Sequence, residues 1–170
     1  MRCFLLMRKA MEQKIRQRKI IRLQGYDYSQ AGSYFITINC QNRIHRFGCI
    51  ENGMMILNQS GLIAYDEWIK LSNRFPTMVK DVFQIMPDHI HGIITLTEPD
   101  TTLKISVSDI IGAYKSIVLV KCLEVYRMNN QIMGKFWYSR FHDRIIRDDR
   151  AYENISKYVI DNPIKWNKNQ

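Results

Sequence analysis

Alternating side-chain character and one strong turn signal mark the first third of the chain as β structure. Residues 34–40 mix aromatic and β-branched side chains and predict a first strand. Two further apolar runs, residues 47–50 and 54–57, flank Glu51-Asn52-Gly53. Because asparagine and glycine both accept a positive φ, this spacing predicts a hairpin. Residues 26–32, ahead of the first strand, contain turn residues without a clean period and predict a loop.

Three longer segments repeat their apolar residues every three or four positions, which is the period of an amphipathic helix. They cover residues 58–73, 108–129 and 148–162. Asn58 or Ser60 is suited to cap the first helix. The third is expected to end near Pro163, because the residue before a proline avoids the helical region.

Three more apolar runs, residues 79–86, 89–96 and 136–146, predict strands. The resulting order is strand, helix, strand, strand, helix, strand, helix, with a separate hairpin after the first strand. This order fits an α+β fold of the split βαβ, ferredoxin-like type, a sandwich of one antiparallel sheet with helices packed mainly on one face. The length of 170 residues suits one domain, residues 25–170, preceded by a basic amino-terminal arm at residues 1–24.

The charge balance narrows the class of partner. The chain carries 25 lysine and arginine residues against 16 aspartate and glutamate residues, a formal net charge of +9. An excess of this size favours a polyanionic partner such as nucleic acid, or an anionic membrane surface. In the arm, basic residues are interleaved with isoleucine and leucine, which suits a solvated segment or one that grips DNA. The basic side chains in question are Arg16, Arg18, Lys19 and Arg22.

Cysteine spacing and hydropathy limit the compartment. None of the four cysteines forms a CxxC pair, so neither a structural zinc site nor a disulfide framework is expected. No stretch approaches the length of a membrane span. We therefore expect free thiols, no membrane partner and a cytoplasmic location.

His89 and His91 stand two residues apart in the third predicted strand of the sheet. Because side chains alternate along a strand, both imidazoles point to one face and Ile90 to the other. Two adjacent imidazoles can bind one divalent metal ion, although such a pair on its own is more often a sheet surface without a role. Gly92 lets backbone or ligand come close. Asp88 is either a strand-entry residue, which we favour, or a partner that orients a histidine.

Tyr158 and Asn162 are four residues apart near the end of the last predicted helix, so they share one face. A phenol can attack phosphorus and hold a covalent ester, and a nearby metal ion can polarise the phosphate. The Asn162 amide oxygen offers a third metal ligand. Alternatively, Tyr158 is a core residue and Asn162-Pro163 only ends the helix. Tyr152 is a competing nucleophile, but six residues of helical rotation place it on a different face.

These residues, in this order, resemble the REP-associated tyrosine transposases, a branch of the single-strand transposases marked by a His-hydrophobic-His metal motif. The resemblance spans about residues 20–166. The matching stretches are Tyr26-Asp27-Tyr28-Ser29-Gln30-Ala31-Gly32, Met86-Pro87-Asp88-His89-Ile90-His91-Gly92-Ile93-Ile94, Lys115-Ser116, Phe136-Trp137, Phe141-His142-Asp143-Arg144-Ile145-Ile146-Arg147, and Tyr158-Val159-Ile160-Asp161-Asn162-Pro163.

The resemblance implies an enzyme that cuts one DNA strand, keeps a 5′-phosphotyrosine link and rejoins ends by transesterification without a nucleotide cofactor. It implies Tyr158 as nucleophile and His89, His91 and Asn162 as ligands of Mg²⁺ or Mn²⁺. Since magnesium prefers oxygen ligands, two imidazoles favour manganese slightly in vitro. The implied substrate is single-stranded DNA with palindromic repeats that fold into hairpins, and the enzyme is a monomer or a homodimer.

The resemblance also implies DNA contacts outside the metal site. Tyr26, Asp27 and Tyr28 match a segment that contacts DNA near the foot of the hairpin. Arg144 and Arg147 are expected to add to the basic surface around the site, together with the arm. Through DNA binding, the protein would be associated with the nucleoid.

Two other functions remain as alternatives. The first is a catalytically silent module that binds DNA hairpins on the same fold, but a pure binder has no use for a nucleophile beside a metal ion. The second is a zinc-dependent hydrolase, which is weakened by the lack of a third histidine, cysteine or carboxylate at ligand spacing. His142 beside Asp143 is suited to proton transfer, yet a hydrogen-bonded structural histidine is the favoured interpretation.

Overall fold

The computed structural model describes residues 25–79, 81–98 and 104–166. The basic arm expected at residues 1–24 lies outside them. The strands are β1 (Gly32–Cys40), β2 (Gly48–Glu51), β3 (Met54–Leu57), β4 (Met78–Val79), β5 (Phe83–Ile85), β6 (His89–Leu96) and β7 (Trp137–Ile146). The helices are α1 (Gln59–Ile69), α2 (Leu71–Arg74), α3 (Val107–Met128) and α4 (Asp149–Lys165), and a 3₁₀ turn spans Gln41–Arg43.

One antiparallel sheet organises the described residues. Its strands lie in the order β4, β6, β1, β7, and β5 also pairs with β6 along the same edge as β4. If β4 and β5 are taken as one interrupted strand and the four strands are numbered along the chain, their spatial order across the sheet is 2-3-1-4. The first and last strands of the chain are therefore neighbours. The α+β, ferredoxin-like prediction is therefore confirmed, and β2 with β3 forms the predicted separate hairpin.

Strand β1 divides its side chains between a core and a polar face. Tyr34, Ile36 and Ile38 are fully buried in the main core, together with residues of α1 and α3. The alternate residues point to the other face, where the Phe35 ring contacts Tyr158 of α4. Helices α1 and α3 thus cover one face of the sheet and α4 the other, because the side chains of a strand alternate.

Local signals set the ends of the elements. The Asn58 side chain accepts a hydrogen bond from the Gly61 amide at 3.0 Å, so Asn58 rather than Ser60 caps α1. Ser106 and Asp109 form a reciprocal capping box at the start of α3. In the hairpin turn, Asn52 and Gly53 have φ values of 52° and 75°, as the sequence predicts.

Three predicted boundaries are wrong. The strand expected at residues 79–86 is split into β4 and β5, because the Asp81 carboxylate between them accepts hydrogen bonds from the Thr95 and Tyr152 hydroxyls. The helix expected at residues 58–73 is interrupted at Lys70. Helix α4 continues through Pro163 and ends at Lys165. The next residue, Trp166, contacts the ring of His89 in β6.

Gly92 serves packing rather than ligand approach. It lies opposite Ile36 on the core face, and a Cβ there would clash with the indole ring of Trp68. The sequence analysis expected backbone or a ligand to approach Gly92. That expectation is wrong, because the group that approaches it is the Trp68 side chain in the core.

A buried carboxylate ties three helices together. Glu67 in α1 is 1% exposed and accepts hydrogen bonds from Arg74 of α2 at 2.6 Å and from Lys121 of α3 at 2.7 Å. Burial raises its pKa, but the hydrogen bonds from Lys121 and Arg74 outweigh that effect and lower the pKa to about 2. Glu67 is therefore ionised at neutral pH.

Cys40, Cys49 and Cys122 are free thiols, as expected. Among the described residues, no helix combines the length and apolarity needed to cross a membrane.

Candidate active site

The two histidines of β6 meet on the polar face of the sheet. The register of β1 and β6 places Asn39 opposite His89 and Thr37 opposite His91. The imidazoles are 4% and 6% exposed, and their Nε2 atoms approach each other to 3.0 Å. The prediction that both rings share one face is therefore confirmed, and both rings direct the same nitrogen to one point.

Asp88 orients the first histidine. Its Oδ1 lies 2.5 Å from His89 Nδ1, and its Oδ2 lies 3.2 Å from Nε of Arg43. Burial raises the pKa of Asp88, but the bond to His89 and the charge of Arg43 outweigh it, so the net pKa is lowered. An ionised Asp88 accepts a hydrogen bond from the Nδ1–H group of His89, which leaves the Nε2 lone pair directed into the site. The favoured interpretation of Asp88 as only a strand-entry residue is wrong.

The second histidine is held from β1. His91 Nδ1 lies 2.9 Å from the Thr37 hydroxyl, and the His91 ring stacks on Phe35 at 5.4 Å. Burial, followed by electrostatic interaction with His89 and with Arg43, lowers the pKa of His91 to about 3. His91 is therefore neutral at physiological pH, and a neutral imidazole is the form that binds a metal ion.

Tyr158 projects from α4 over this pair. Its hydroxyl lies 3.4 Å from His91 Nε2, and its side chain is 46% exposed. Asn162, one helical turn further on, lines the same cavity. Tyr152 points elsewhere and donates its hydroxyl proton to Asp81 at 2.6 Å, a bond that raises the pKa of Tyr152. The structure thus brings the predicted nucleophile to the histidines and keeps its competitor away.

The cavity between these groups has a volume of about 500 Å³. Five of its residues were not among the predicted site residues: Thr37, Asn39, Arg43, His142 and Trp166. Three of them face the site through strand register, because Thr37 lies opposite both His91 and His142, and Asn39 lies opposite His89. His142 is exposed at the cavity, so the interpretation of a satisfied structural histidine is wrong. The alternation of side chains along β1 is the sequence signal that could have placed Thr37 and Asn39 on the same face as the histidines.

Arg43 reaches the cavity from a strained turn. Asn42 and Arg43 both have positive φ values, 53° and 55°, which non-glycine residues rarely adopt. The Arg43 side chain is 60% exposed and donates a hydrogen bond to Asn39 at 2.5 Å while it pairs with Asp88. Strain of this kind is held only when surrounding contacts over-determine it. These contacts place a guanidinium group at the rim of the cavity.

The donor set fits a divalent ion with open positions. The two imidazoles present Nε2 toward each other, and Asp88 and Thr37 contact the outer nitrogens of the rings. Within the described ranges there is no cluster of three or more histidine, cysteine or acidic residues suited to a metal ion. The Asn162 amide lines the same cavity and is an oxygen donor suited to be a third ligand.

The predicted DNA contacts are spread over the molecule. Arg144 lines a second cavity beside Tyr158, and Arg147 is exposed just after the end of β7. Residues 26–28 lie at the other end of β1, where the Tyr26 and Tyr34 hydroxyls approach to 3.4 Å and Asp27 pairs with Lys104. The structure does not bring that segment to the histidine cavity. Arg16, Arg18, Lys19 and Arg22 lie outside the described residues.

Sequence comparison finds two relatives from Haemophilus influenzae. An uncharacterized protein is 33% identical over 173 residues, which cover 92% of this chain and 93% of that protein, so the two belong to one family. A protein named "Putative REP-associated tyrosine transposase" is 26% identical over 151 residues, which cover 82% of this chain and 74% of that protein. No protein-family model matches the chain.

Two solved structures share the fold. A REP-associated tyrosine transposase bound to a REP hairpin superposes with a TM-score of 0.63 at 23% identity and covers 85% of this chain and 74% of that chain. A "putative transposase" from Deinococcus radiodurans superposes with a TM-score of 0.50 at 15% identity and covers 84% of this chain and 96% of that chain. The resemblance inferred from the sequence motifs is thus confirmed.

Proposed function

We propose that this chain, which resembles the REP-associated tyrosine transposases in sequence and fold, cleaves and rejoins single-stranded DNA beside hairpin-forming repeats. The reaction proceeds through a 5′-phosphotyrosine at Tyr158 and depends on a divalent metal ion. The observation that carries the proposal is the Tyr158 hydroxyl, 3.4 Å from His91 Nε2 on the cavity that both histidines face. The hairpin in the solved relative supports the choice of substrate.

His89, His91 and Asn162 would hold the metal ion, Mg²⁺ or Mn²⁺, with manganese slightly favoured by the imidazoles. When bound, the ion supplies positive charge that polarises the scissile phosphate and stabilises the leaving oxygen. The ionised Asp88 and the Thr37 hydroxyl keep the two rings in the orientation that this requires.

Tyr158 carries the covalent chemistry. Its phenolic oxygen attacks phosphorus, the bond from phosphorus to the 3′-oxygen of the neighbouring nucleotide breaks, and the phenolic proton is lost to solvent as that oxygen gains one. The DNA fragment downstream remains attached through its 5′-phosphate. A 3′-hydroxyl of another end then attacks the same phosphorus and releases Tyr158, so no nucleotide cofactor is consumed.

Exposed basic groups would hold the DNA backbone beside the nucleophile. The Arg43 guanidinium at the rim of the cavity has donors in a planar fork that matches phosphate oxygens. Arg144 and Arg147 extend positive charge along β7 and its end. Residues 26–28, which do not line the histidine cavity, would contact the foot of the hairpin while the cleaved strand reaches Tyr158.

A direct test is incubation of the protein with a labelled single-stranded DNA hairpin and its flanks in Mn²⁺, followed by denaturing electrophoresis. We expect a labelled band at the mass of the protein plus DNA, and no such band after chelation of the metal ion. A wild-type protein that binds the hairpin tightly but never forms the adduct would instead favour the silent binding module.

Tyr158→Phe is expected to keep the fold and DNA binding and to abolish the adduct, because it removes the only oxygen that forms the ester while the ring keeps its packing on Phe35. Tyr152→Phe is the matched control and should cleave nearly normally, since its hydroxyl is bound to Asp81. An adduct that survives in Tyr158→Phe and disappears in Tyr152→Phe would show that the wrong tyrosine has been chosen.

A further inference from the structure

A second cavity lies beside Tyr158, adjoining the metal cavity. Its volume is about 430 Å³, within the range of small-molecule binding pockets. Phe35 and Ile155 give it apolar walls, and Asp143, Arg144 and Asn154 are among its polar lining residues. Thr37, His91 and His142 line it as well as the metal cavity. Tyr158 lines both cavities, so whatever fills the second one lies next to the nucleophile.

Strand register explains why these groups meet. Arg144 of β7 is paired with Phe35 of β1, and both point to the face that α4 covers. From α4, Asn154 and Ile155 precede Tyr158 by about one turn, which brings them to the same side of the helix. The result is a mainly apolar slot with a guanidinium, an amide and the acidic residue Asp143 among its lining groups, which suits a flat heteroaromatic ring with polar edges.

The geometry of phosphoryl transfer determines which part of the DNA lies there. The attacking Tyr158 oxygen and the leaving 3′-oxygen stand roughly in line on opposite sides of phosphorus. The leaving nucleotide is therefore directed away from Tyr158. The nucleotide that stays attached lies to the side, close to the nucleophile and to the second cavity.

We propose, resting on the proposed function, that this cavity binds the nucleobase immediately 3′ of the cleaved bond and selects a purine, with guanine preferred. The Phe35 and Ile155 side chains contact the base, and Arg144 donates two hydrogen bonds to the guanine O6 and N7 atoms. Asn154 contributes a further polar contact to the base or its sugar. The cavity is thus a specificity determinant for the position of the cut.

The test uses the Tyr158→Phe protein, which retains the DNA without cutting it. A labelled hairpin oligonucleotide with its single-stranded flank is scanned with single abasic sites, and the dissociation constant is measured for each. We expect one flank position at which loss of the base weakens binding about 10-fold. At that position guanine should bind more tightly than adenine, and both more tightly than a pyrimidine.

Arg144→Ala in the same protein should make binding insensitive to the base at that position, and Asn154→Ala should reduce the sensitivity. Arg127→Ala removes a charge from the exposed end of α3, on the other face of the sheet, and should leave the base preference unchanged. Equal dissociation constants for all abasic positions would contradict the proposed base pocket. A base preference that persists in Arg144→Ala would also contradict it.

Cleavage by the wild-type protein then separates this proposal from the function itself. The first nucleotide of each protein-linked fragment should be the base selected in the binding scan. If adducts form but begin with all four bases equally, the base pocket is wrong and the nuclease stands. If the binding scan finds the position but no adduct ever forms, the pocket stands and the nuclease is wrong.

Discussion

Asp88 shows how one side chain connects the candidate metal ligand His89 to Arg43 at the rim of the cavity. Its two carboxylate oxygens contact His89 Nδ1 and Arg43 Nε, at 2.5 and 3.2 Å. The first contact selects the ring tautomer that leaves Nε2 free to bind a metal ion. The second keeps a guanidinium beside the place where a phosphate would lie. A change at Asp88 therefore affects both groups without touching DNA.

We predict that Asp88→Asn lowers the affinity for Mn²⁺ by about 10- to 100-fold, the usual effect of removing a partner that orients a ligand. The asparagine keeps the size of the side chain but loses the charge that holds the Nδ1 proton of His89. Isothermal titration of the folded protein with Mn²⁺ measures the effect. Asp66→Asn, at an exposed position on α1, is the matched control. Equal Mn²⁺ affinity in wild type and Asp88→Asn would contradict the role given to Asp88.

At the scale of the elements, the buried Glu67 carboxylate joins helices α1, α2 and α3 through its contacts with Arg74 and Lys121. Glu67 is buried, whereas its partners Lys70, Arg74 and Lys121 reach solvent with side chains that are 34–51% exposed. The network therefore gains from charge-assisted hydrogen bonds to a single desolvated acceptor rather than from several surface ion pairs. Removing the charge leaves the helices packed but less firmly joined.

We predict that Glu67→Gln lowers the free energy of unfolding by about 1–3 kcal/mol at pH 7. The pKa of Glu67 is lowered in the folded state, so this stability is fully present above the unfolded pKa near 4.5 and is lost as the pH falls toward about 2. Urea unfolding of both proteins between pH 7 and pH 2 measures it. The gap between the two curves should close at low pH. A gap independent of pH would mean that ionisation of Glu67 does not stabilise the fold.

Elements with a clear period could be predicted from the sequence, and those broken by long-range contacts could not. Strand β6 has the predicted bounds because the turn signal at Pro87-Asp88 and the β-branched residues that follow it both indicate a strand that begins at His89. The split of β4 from β5 depends on Asp81 meeting Tyr152, 71 residues away. The last turn of α4 persists beyond Pro163 because Trp166 contacts His45 and His89.

The same distinction applies to the site. His89, His91, Tyr158 and Asn162 follow from local spacing within one strand and one helix. Thr37 joins them across 54 residues of sequence, and its place depends on the register of β1 with β6. Arg43 reaches the cavity because Asn42 and Arg43 both adopt positive φ values. No glycine in this turn indicates that conformation in the sequence. Register and strain of this kind are properties of the folded chain, which is why these residues were missed.

At the scale of the whole molecule, the net charge of +9 bears on how DNA is held. Binding of a flexible polyanion by dispersed basic groups releases counterions, so its affinity depends on salt even where shape provides the specificity. On the proposed function, the basic groups that would contribute come from the arm and from the end of β7. They are Arg16, Arg18, Lys19, Arg22, Arg144 and Arg147.

We predict that the logarithm of the affinity for a single-stranded hairpin flank falls linearly with the logarithm of the salt concentration. Replacing Arg16, Arg18, Lys19 and Arg22 by alanine should reduce the slope by about 0.7 for each phosphate that the arm no longer neutralises. Fluorescence anisotropy between 50 and 200 mM NaCl, about the range in which such effects are large, measures both proteins. Identical slopes would remove the arm from the DNA-binding surface.

The alternation along β1 has a consequence for how this protein tolerates mutation. Alternate residues of β1 serve packing and the candidate site separately. The core residues are Tyr34, Ile36 and Ile38, and the cavity-lining residues are Phe35, Thr37 and Asn39. The two roles are therefore encoded by different codons. On the proposed function, substitutions of Phe35, Thr37 or Asn39 would alter or abolish cleavage while the chain still folds and binds DNA. Loss of a single codon within β1 would instead exchange the two sets and destroy both at once. If cleavage is the function, point substitutions in this strand would therefore be able to convert a DNA-cleaving protein into a DNA-binding one, whereas single-residue deletions would not.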